Sequence, residues 1–299
     1  MVYECANLQT MGVHKINKLN QLHDLLGEGL LASTSWLEGH GYSRSLLAKY
    51  VAGGWLESPA RGVYRRPGPP LKWQHVVASL QLLAGSFLHV GGRTALVHRG
   101  LGHYVRLGDP EPILLYGPET LPPWVNKLGL NERFFVRSDA MFSALRARRD
   151  EQGNPFDFQG KPLVRGGLQQ MGLSEFTWGA WDWRLWYSCE ERAILELLNE
   201  LPGLLSFEEA RLVMEGLATL RPALLQPLLE ACSSIKVKRT FLYLAREAGH
   251  AWYARLDKSR LDLGKGKRMI VRGGRLDAEF MITVPVQGDD DAGLAGDPA

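Results

Sequence analysis

Cysteine is scarce in this chain: Cys5, Cys189 and Cys232 are the 3 cysteines in 299 residues. None sits in a CxxC spacing and their number is odd. That excludes a disulfide framework or a thiolate zinc site, and fits reduced thiols filling the core of a cytoplasmic protein. No apolar run approaches the roughly 18 residues a membrane helix needs. The opening residues, MVYECANLQTMGVHK, lack the basic-then-apolar pattern of a secretory leader. The histidines form no HExxH, and His98 and His103 have no carboxylate or cysteine at ligand spacing, so no metal is expected. No Glu-x-Lys or Asp-x-Lys triplet occurs, which argues against a restriction-type nuclease. Gly264-Lys265-Gly266-Lys267-Arg268 is not GxxxxGK[ST], and Gly91-Gly92-Arg93-Thr94 is not GxGxxG. Their glycines are expected to make turns, not to cradle phosphate. Neither catalysis nor a cofactor is expected.

What the chain does have begins between Leu31 and Arg66. Ser33 or Thr34 can cap a short helix that buries Trp36 and Leu37, and Gly39 and Gly41 then supply a turn. Ser43 can cap a second helix with Leu46, Leu47, Tyr50 and Val51 on one face. Its other face holds Arg44, Ser45, Ala48, Lys49 and Ala52, small or cationic side chains suited to a DNA major groove. Gly53-Gly54 ends it. Trp55–Glu57 and Gly62–Arg66 read as strands around the turn Ser58–Arg61. Helix, turn, helix and basic hairpin make a winged helix-turn-helix. Its expected DNA contacts are Ser43, Arg44, Ser45 and Lys49 on the helix and Arg61, Arg65 and Arg66 on the wing. A purely protein-binding winged helix is the alternative.

The length predicts about two domains. Lys15–Leu26 reads as a first helix under the motif, with Ile16, Leu19, Leu22, Leu25 and Leu26 inward. Arg66-Pro67-Gly68-Pro69-Pro70 reads as the boundary, giving a winged domain over 1–68 and a larger domain over 71–286. The acidic, aromatic-free tail 287–299 reads as disordered; its Asp289-Asp290-Asp291 is a solvated run before it is a cation site.

The larger domain mixes helices and strands, so the fold class is α/β or α+β. Trp73–Ala84 reads as a helix, Phe87–Val90, Ile113–Tyr116 and Phe134–Val136 as strands, with a short helix after Gly91-Gly92. From 140 to 176 the pattern supports no assignment. Ser188 with Glu191, and Ser206 with Glu209, read as capping boxes. Pro222 opens a helix that Pro227 should kink or split. Lys236–Ala248 is a further helix, with late strands at Arg268–Arg272 and Glu279–Val284 joined through Gly273-Gly274.

Charge is unevenly spread. Residues 236–275 carry Lys236, Lys238, Arg239, Arg246, Arg255, Lys258, Arg260, Lys265, Lys267, Arg268, Arg272 and Arg275 against Glu247, Asp257 and Asp262, a local +9 in a chain of net +3. The remainder is therefore net acidic. Such a segment suits phosphate or an acidic protein surface, or else a solvated face. Trp178, Trp181, Trp183, Trp186 and Tyr187 form a dense aromatic run, read as packing or as a docking hot spot.

The pattern Trp36-Leu37, Gly41-Tyr42-Ser43, Leu46-Leu47, Tyr50, Gly54-Trp55-Leu56 and Gly62–Arg66 resembles the N-terminal domain of the AbiEi antitoxin family. Glu191–Leu198, Phe207–Ala210, Glu215–Leu217, Leu220–Pro222 and Val237–Arg239 resemble its C-terminal domain. So do Trp252, Leu256-Asp257, Leu263-Gly264, Gly266–Arg268 and Ile282–Pro285. The resemblance spans most of residues 15–285. It implies repression of the chain's own promoter through inverted repeats, and neutralisation of a co-transcribed nucleotidyltransferase-like toxin of the AbiEii type. With it, Lys236, Lys238, Arg239, Lys265, Lys267, Arg268, Arg272 and Arg275 become the expected antitoxin surface. The alternative is a one-component winged-helix regulator whose larger domain senses a small molecule.

Overall fold

The computed structural model describes residues 18–101, 112–152, 154–157, 159–161 and 167–286. Cys5, Lys15, Ile16, His103 and the tail 287–299 lie outside them. The fold is mixed α/β, and the chain divides into two compact units. One comprises 1–86, 119–133 and 178–183; the other comprises 87–118, 134–177 and 184–299. The helix that follows Pro67–Pro70 thus groups with the winged unit, although the sequence reading puts it in the second domain.

In the first unit, helix α1 (18–25) precedes strand β1 (Ala32–Ser33), helices α2 (Thr34–Gly39) and α3 (Arg44–Ala52), strands β2 (Glu57–Ala60) and β3 (Val63–Arg65), and helix α4 (Trp73–Leu82). Ser33 and Ser43 cap α2 and α3, their hydroxyls accepting from Trp36 N and Leu46 N. Gly41 turns the chain between the two helices at φ 83°, a conformation that costs a residue with a Cβ. Leu22, Leu26, Leu37, Leu47, Leu56 and Val63 close the core. The strands pair in the order β1-β3-β2. The hairpin turns at Arg61-Gly62, not over Ser58–Arg61, so Pro59 lies within β2. It is tolerated because β2 is the edge strand, where a missing N–H leaves no ladder bond unmade. Thr34 N donates to Gly62 O at 2.8 Å, tying the wing's turn to the start of α2. Leu31 N donates to Ser79 Oγ (2.7 Å) and Trp36 Nε1 to Leu83 O (3.0 Å), which fastens α4 to the motif.

The second unit is built on strands β4 (His89–Val90), β5 (Ile113–Tyr116) and β6 (Phe134–Arg137), with helix α5 (Gly92–His98) after β4. Short strands β7 (Arg148–Arg149) and β8 (Pro155–Phe156), helix α6 (Gly167–Gln170) and most of strand β9 (Leu173–Trp178) fall in the stretch 140–176 that showed no pattern, and strand β10 (Trp183–Ser188) carries part of the aromatic run. The five-stranded sheet runs β6-β5-β4-β10-β9. Helices α7 (Glu190–Asn199), α8 (Phe207–Gly216), α9 (Pro222–Ala231) and α10 (Ile235–Ala248) follow, then strands β11 (Arg275–Asp277) and β12 (Ile282–Val284). Pro227 does not split α9; it and Ala223, whose carbonyl loses its helical donor, both face solvent, where water replaces the bond. The late strands also differ from expectation. Gly273-Gly274 leads into β11, which pairs antiparallel with β12, while Arg268 bridges Ile282 on the same strand.

One capping box holds and one does not. Ser206 and Glu209 cap α8 reciprocally, at 3.0 and 3.1 Å. At α7 the N-cap is Cys189, with no side-chain cap bond. Glu191 instead takes Arg221 Nε and Nη2 at 2.9 Å each, and burial, which would raise its pKa, is outweighed by that pairing, which lowers it. Ser188 Oγ donates to Glu196 at 2.7 Å. Glu196 is the polar centre of this unit. It is fully buried and also receives Arg192 Nε (2.7 Å) and Gly92 N (2.9 Å), with His89 Nε2 3.2 Å away. Burial works against its ionisation, but the hydrogen bond from His89 and the charge of Arg192 hold its pKa down at about 2.

Candidate nucleic-acid interface and basic lobe

The helix face read as DNA-contacting is on the surface. Ser43, Arg44, Ser45, Ala48, Lys49 and Ala52 are all exposed, while Leu47 and Tyr50 on the same helix are buried. The small residues let the helix approach a partner closely, and the cations can meet phosphates or base edges. Ser43 is committed to its cap, with its hydroxyl also 3.1 Å from Ser45 Oγ.

The wing is less cationic than its sequence. Arg61, at the turn, is exposed. Arg65 is not: it is 8% exposed, with Nη2 and Nε 2.6 and 2.7 Å from Glu57 Oε2 and Nη1 2.8 Å from Pro69 O. It locks β3 to β2 and to the chain's exit, because alternate residues of a strand face inward and its neighbour Tyr64 takes the other face. Arg66 is half-buried and donates to His23 O at 3.4 Å. The surface-directed set is therefore Arg44, Lys49 and Arg61, with Ser45.

The basic segment divides in the same way. Lys238 and Arg239 are buried, because nine successive residues of α10, Val237–Ala245, lie inside the unit and leave it no solvent face there. Arg239 donates to Leu263 O (2.6 Å), Gly266 O (2.6 Å) and Met281 O (3.3 Å). Lys236 Nζ donates to Asn199 O (2.8 Å) and Leu201 O (2.6 Å), and burial lowers its pKa. Lys236 and Arg239 thus tie backbone segments together, and Lys238 is enclosed with Arg239. Lys265, Lys267, Arg268, Arg272 and Arg275 are exposed and make no ion pair among the described residues. They lie on a lobe, residues 263–286, whose backbone Arg239 holds from below and which also exposes Met269, at 66%. Thr283 Oγ1 accepts from Ile270 N (2.9 Å) and Val271 N (3.1 Å), so the lobe is firmly tied although irregular.

The aromatic run is spread over several environments. Trp178 and Trp183 flank His75 edge-on at 4.8 and 5.8 Å. Trp186 stacks on Phe87 and Tyr187 is buried. Trp181 is exposed, at 59%. A cleft beside Arg192, His89 and Trp186 measures about 20 Å³, room for a water molecule rather than for an effector. Among the described residues no group of three or more His, Cys, Asp or Glu is placed to hold a metal, and no helix is long and apolar enough to cross a membrane. Sequence reasoning missed the Glu196 network. Its partners His89, Gly92, Ser188 and Arg192 are scattered, and only the Arg192–Glu196 spacing of four residues hinted at a pair.

A helix-turn-helix with a β-hairpin wing, in one chain with a mixed α/β unit, is the architecture, and the family models that match it set the class as transcriptional regulators. Residues 15–107 match the family model described as "Transcriptional regulator, AbiEi antitoxin N-terminal domain", and residues 168–285 that described as "Transcriptional regulator, AbiEi antitoxin, Type IV TA system". The chain belongs to the AbiEi antitoxin family, the transcriptional regulators of type IV toxin–antitoxin systems. No curated protein matches it. The crystal structure of the RV2827C protein from Mycobacterium tuberculosis is similar at 15% identity and a TM-score of 0.49, over 85% of each chain.

Proposed function

We propose that the chain is a cytoplasmic autorepressor and antitoxin without catalytic activity. Residues 1–68 bind inverted repeats in the promoter of its own operon. Residues 71–286 neutralise a co-transcribed, nucleotidyltransferase-like toxin of the AbiEii type, through an association that can be transient. The observation that carries the DNA reading is the exposed face of α3, with Arg44, Ser45 and Lys49, together with the exposed Arg61 of the wing. The antitoxin reading is supported by the five exposed cations of the lobe, which make no ion pair among the described residues and favour an acidic protein surface at long range.

Two assays on one set of variants test this: a promoter-fusion reporter, and growth of cells expressing the toxin. Replacing Arg44, Lys49 and Arg61 with alanine should release the reporter and leave growth rescue intact. Replacing Lys265, Lys267, Arg268, Arg272 and Arg275 with glutamine should do the reverse. Exposed cations add roughly 0–1 kcal/mol each to folding, so both variants should stay folded. Rescue by the glutamine variant equal to that of the parent would remove the lobe from the account.

A further inference from the structure

The outward face of α3 carries an intramolecular tether. Arg44 Nε is 2.8 Å from Glu38 Oε1, with the arginine side chain 78% exposed and the glutamate 40%. Glu38 lies near the end of α2, so the pair spans the turn between the two helices of the motif. It is the one carboxylate between Thr34 and Ala52. The other charged or histidine side chains between Thr34 and Ala52 are His40 and Lys49, and Lys18 of α1 reaches the turn. His40 stacks on Trp36 at 4.1 Å, with Nδ1 2.7 Å from Trp36 O. Lys18 Nζ donates to Gly41 O at 3.1 Å. None of these offers Arg44 a second anion.

Two features separate this pair from the Arg65–Glu57 pair of the wing. Both its members are accessible, so Arg44 is free to leave, whereas Arg65 is buried and held by a third group. The carboxylate also occupies only the Nε edge of the guanidinium. Among the described residues Nη1 and Nη2 have no protein partner, and that two-nitrogen fork is the one that matches the O6 and N7 acceptors of guanine.

We infer that Glu38 is a specificity-determining residue of the DNA-reading surface, an inference that rests on the DNA-binding reading above. In this role Glu38 keeps Arg44 pointed for a base pair. Its own charge repels the phosphates of any duplex alike, but on non-cognate duplex it acts against binding a second time, because Arg44 must abandon it to reach a phosphate. On the cognate site the tether stays in place while the free fork reads its base. An acidic side chain on a DNA-facing surface would then serve discrimination rather than affinity.

The test is a Glu38→Gln variant of the full chain, titrated by fluorescence anisotropy with its promoter duplex and with a scrambled duplex of equal length at several salt concentrations. Affinity for the scrambled duplex should rise about five-fold, the effect of one screened charge at contact distance. Its salt slope should steepen by about one as Arg44 gains a phosphate. Promoter affinity should rise less or fall, so the ratio of the two drops, while the melting temperature is unchanged. In an Arg44→Ala background, Glu38→Gln should leave the ratio where Arg44→Ala alone put it. Equal tightening on both duplexes, no change on either, or an additive double variant overturns the role of Glu38 while leaving DNA binding standing. A parent protein that binds neither duplex overturns the DNA reading and this inference together.

Discussion

Arg61 and Arg65 stand four residues apart on one hairpin, carry the same side chain and should respond to alanine in opposite ways. Arg61 is exposed at the turn. If it meets a phosphate, removing it lowers the salt slope by about 0.9, so the penalty of going from 50 to 200 mM salt shrinks about 3.5-fold. Folding should be untouched. Arg65 is buried, with two bonds to Glu57 and one to Pro69 O. Its loss strands those acceptors. Breaking a fully buried ion pair costs about 3–5 kcal/mol, but Glu57 is half-buried and can recover water, so about 2 kcal/mol is the better figure. For a unit of this size that is a fall of about 10 °C in melting temperature. Differential scanning calorimetry and anisotropy titrations on both variants decide the matter. An Arg65→Ala protein that melts with the parent and loses only salt dependence would refute the assignment of Arg65 as a structural lock.

Other outcomes follow from the second unit and from the glycines. A Cβ at Gly91 would lie 2.3 Å from Glu196 Oε2 and 2.5 Å from Tyr116 Cδ2, whereas at Gly39 it would meet nothing within 4 Å. Gly91→Ala should therefore cost about 3 kcal/mol in a urea titration, and Gly39→Ala should be neutral or stabilise by about 0.5–1 kcal/mol. Glu196→Gln leaves Arg192 buried without its anion and should cost about 3–5 kcal/mol at neutral pH. Because the folded pKa of Glu196 is depressed from 4.5 to about 2, its contribution is complete above pH 4.5 and is lost as pH falls toward 2. The gap in stability between parent and Glu196→Gln should narrow over that window, a result measurable by chemical denaturation at stepped pH.

The elements with a strong local signal were legible in the sequence. Ser43 caps α3, its buried and exposed faces fall where the 3.6-residue period puts them, and Ile113–Tyr116 is a strand at the residues read as one. What failed was decided by distant partners. Ser188 and Glu191 have capping-box spacing, but Glu196 and Arg221 compete for them and win. A run of cations in sequence carries no direction: α10 is enclosed at Lys238 and Arg239, so neither charge decorates the surface, and Arg239 holds the lobe instead. Arg65 was misjudged for the same reason, since strand alternation fixes which wing arginine turns inward only once the register is known. The β9 strand escaped because Leu173–Trp178 has a half-exposed, glycine-flanked pattern that resembles a loop.

The central claim is sequence-specific binding by the exposed face of α3. The most direct measurement is the affinity of the purified chain for its own promoter repeat against a scrambled duplex at physiological salt, with Lys49→Ala as the control. The account predicts a preference of about 10³ or more for the repeat and a general weakening in the variant. Equal affinity for the two duplexes would contradict it.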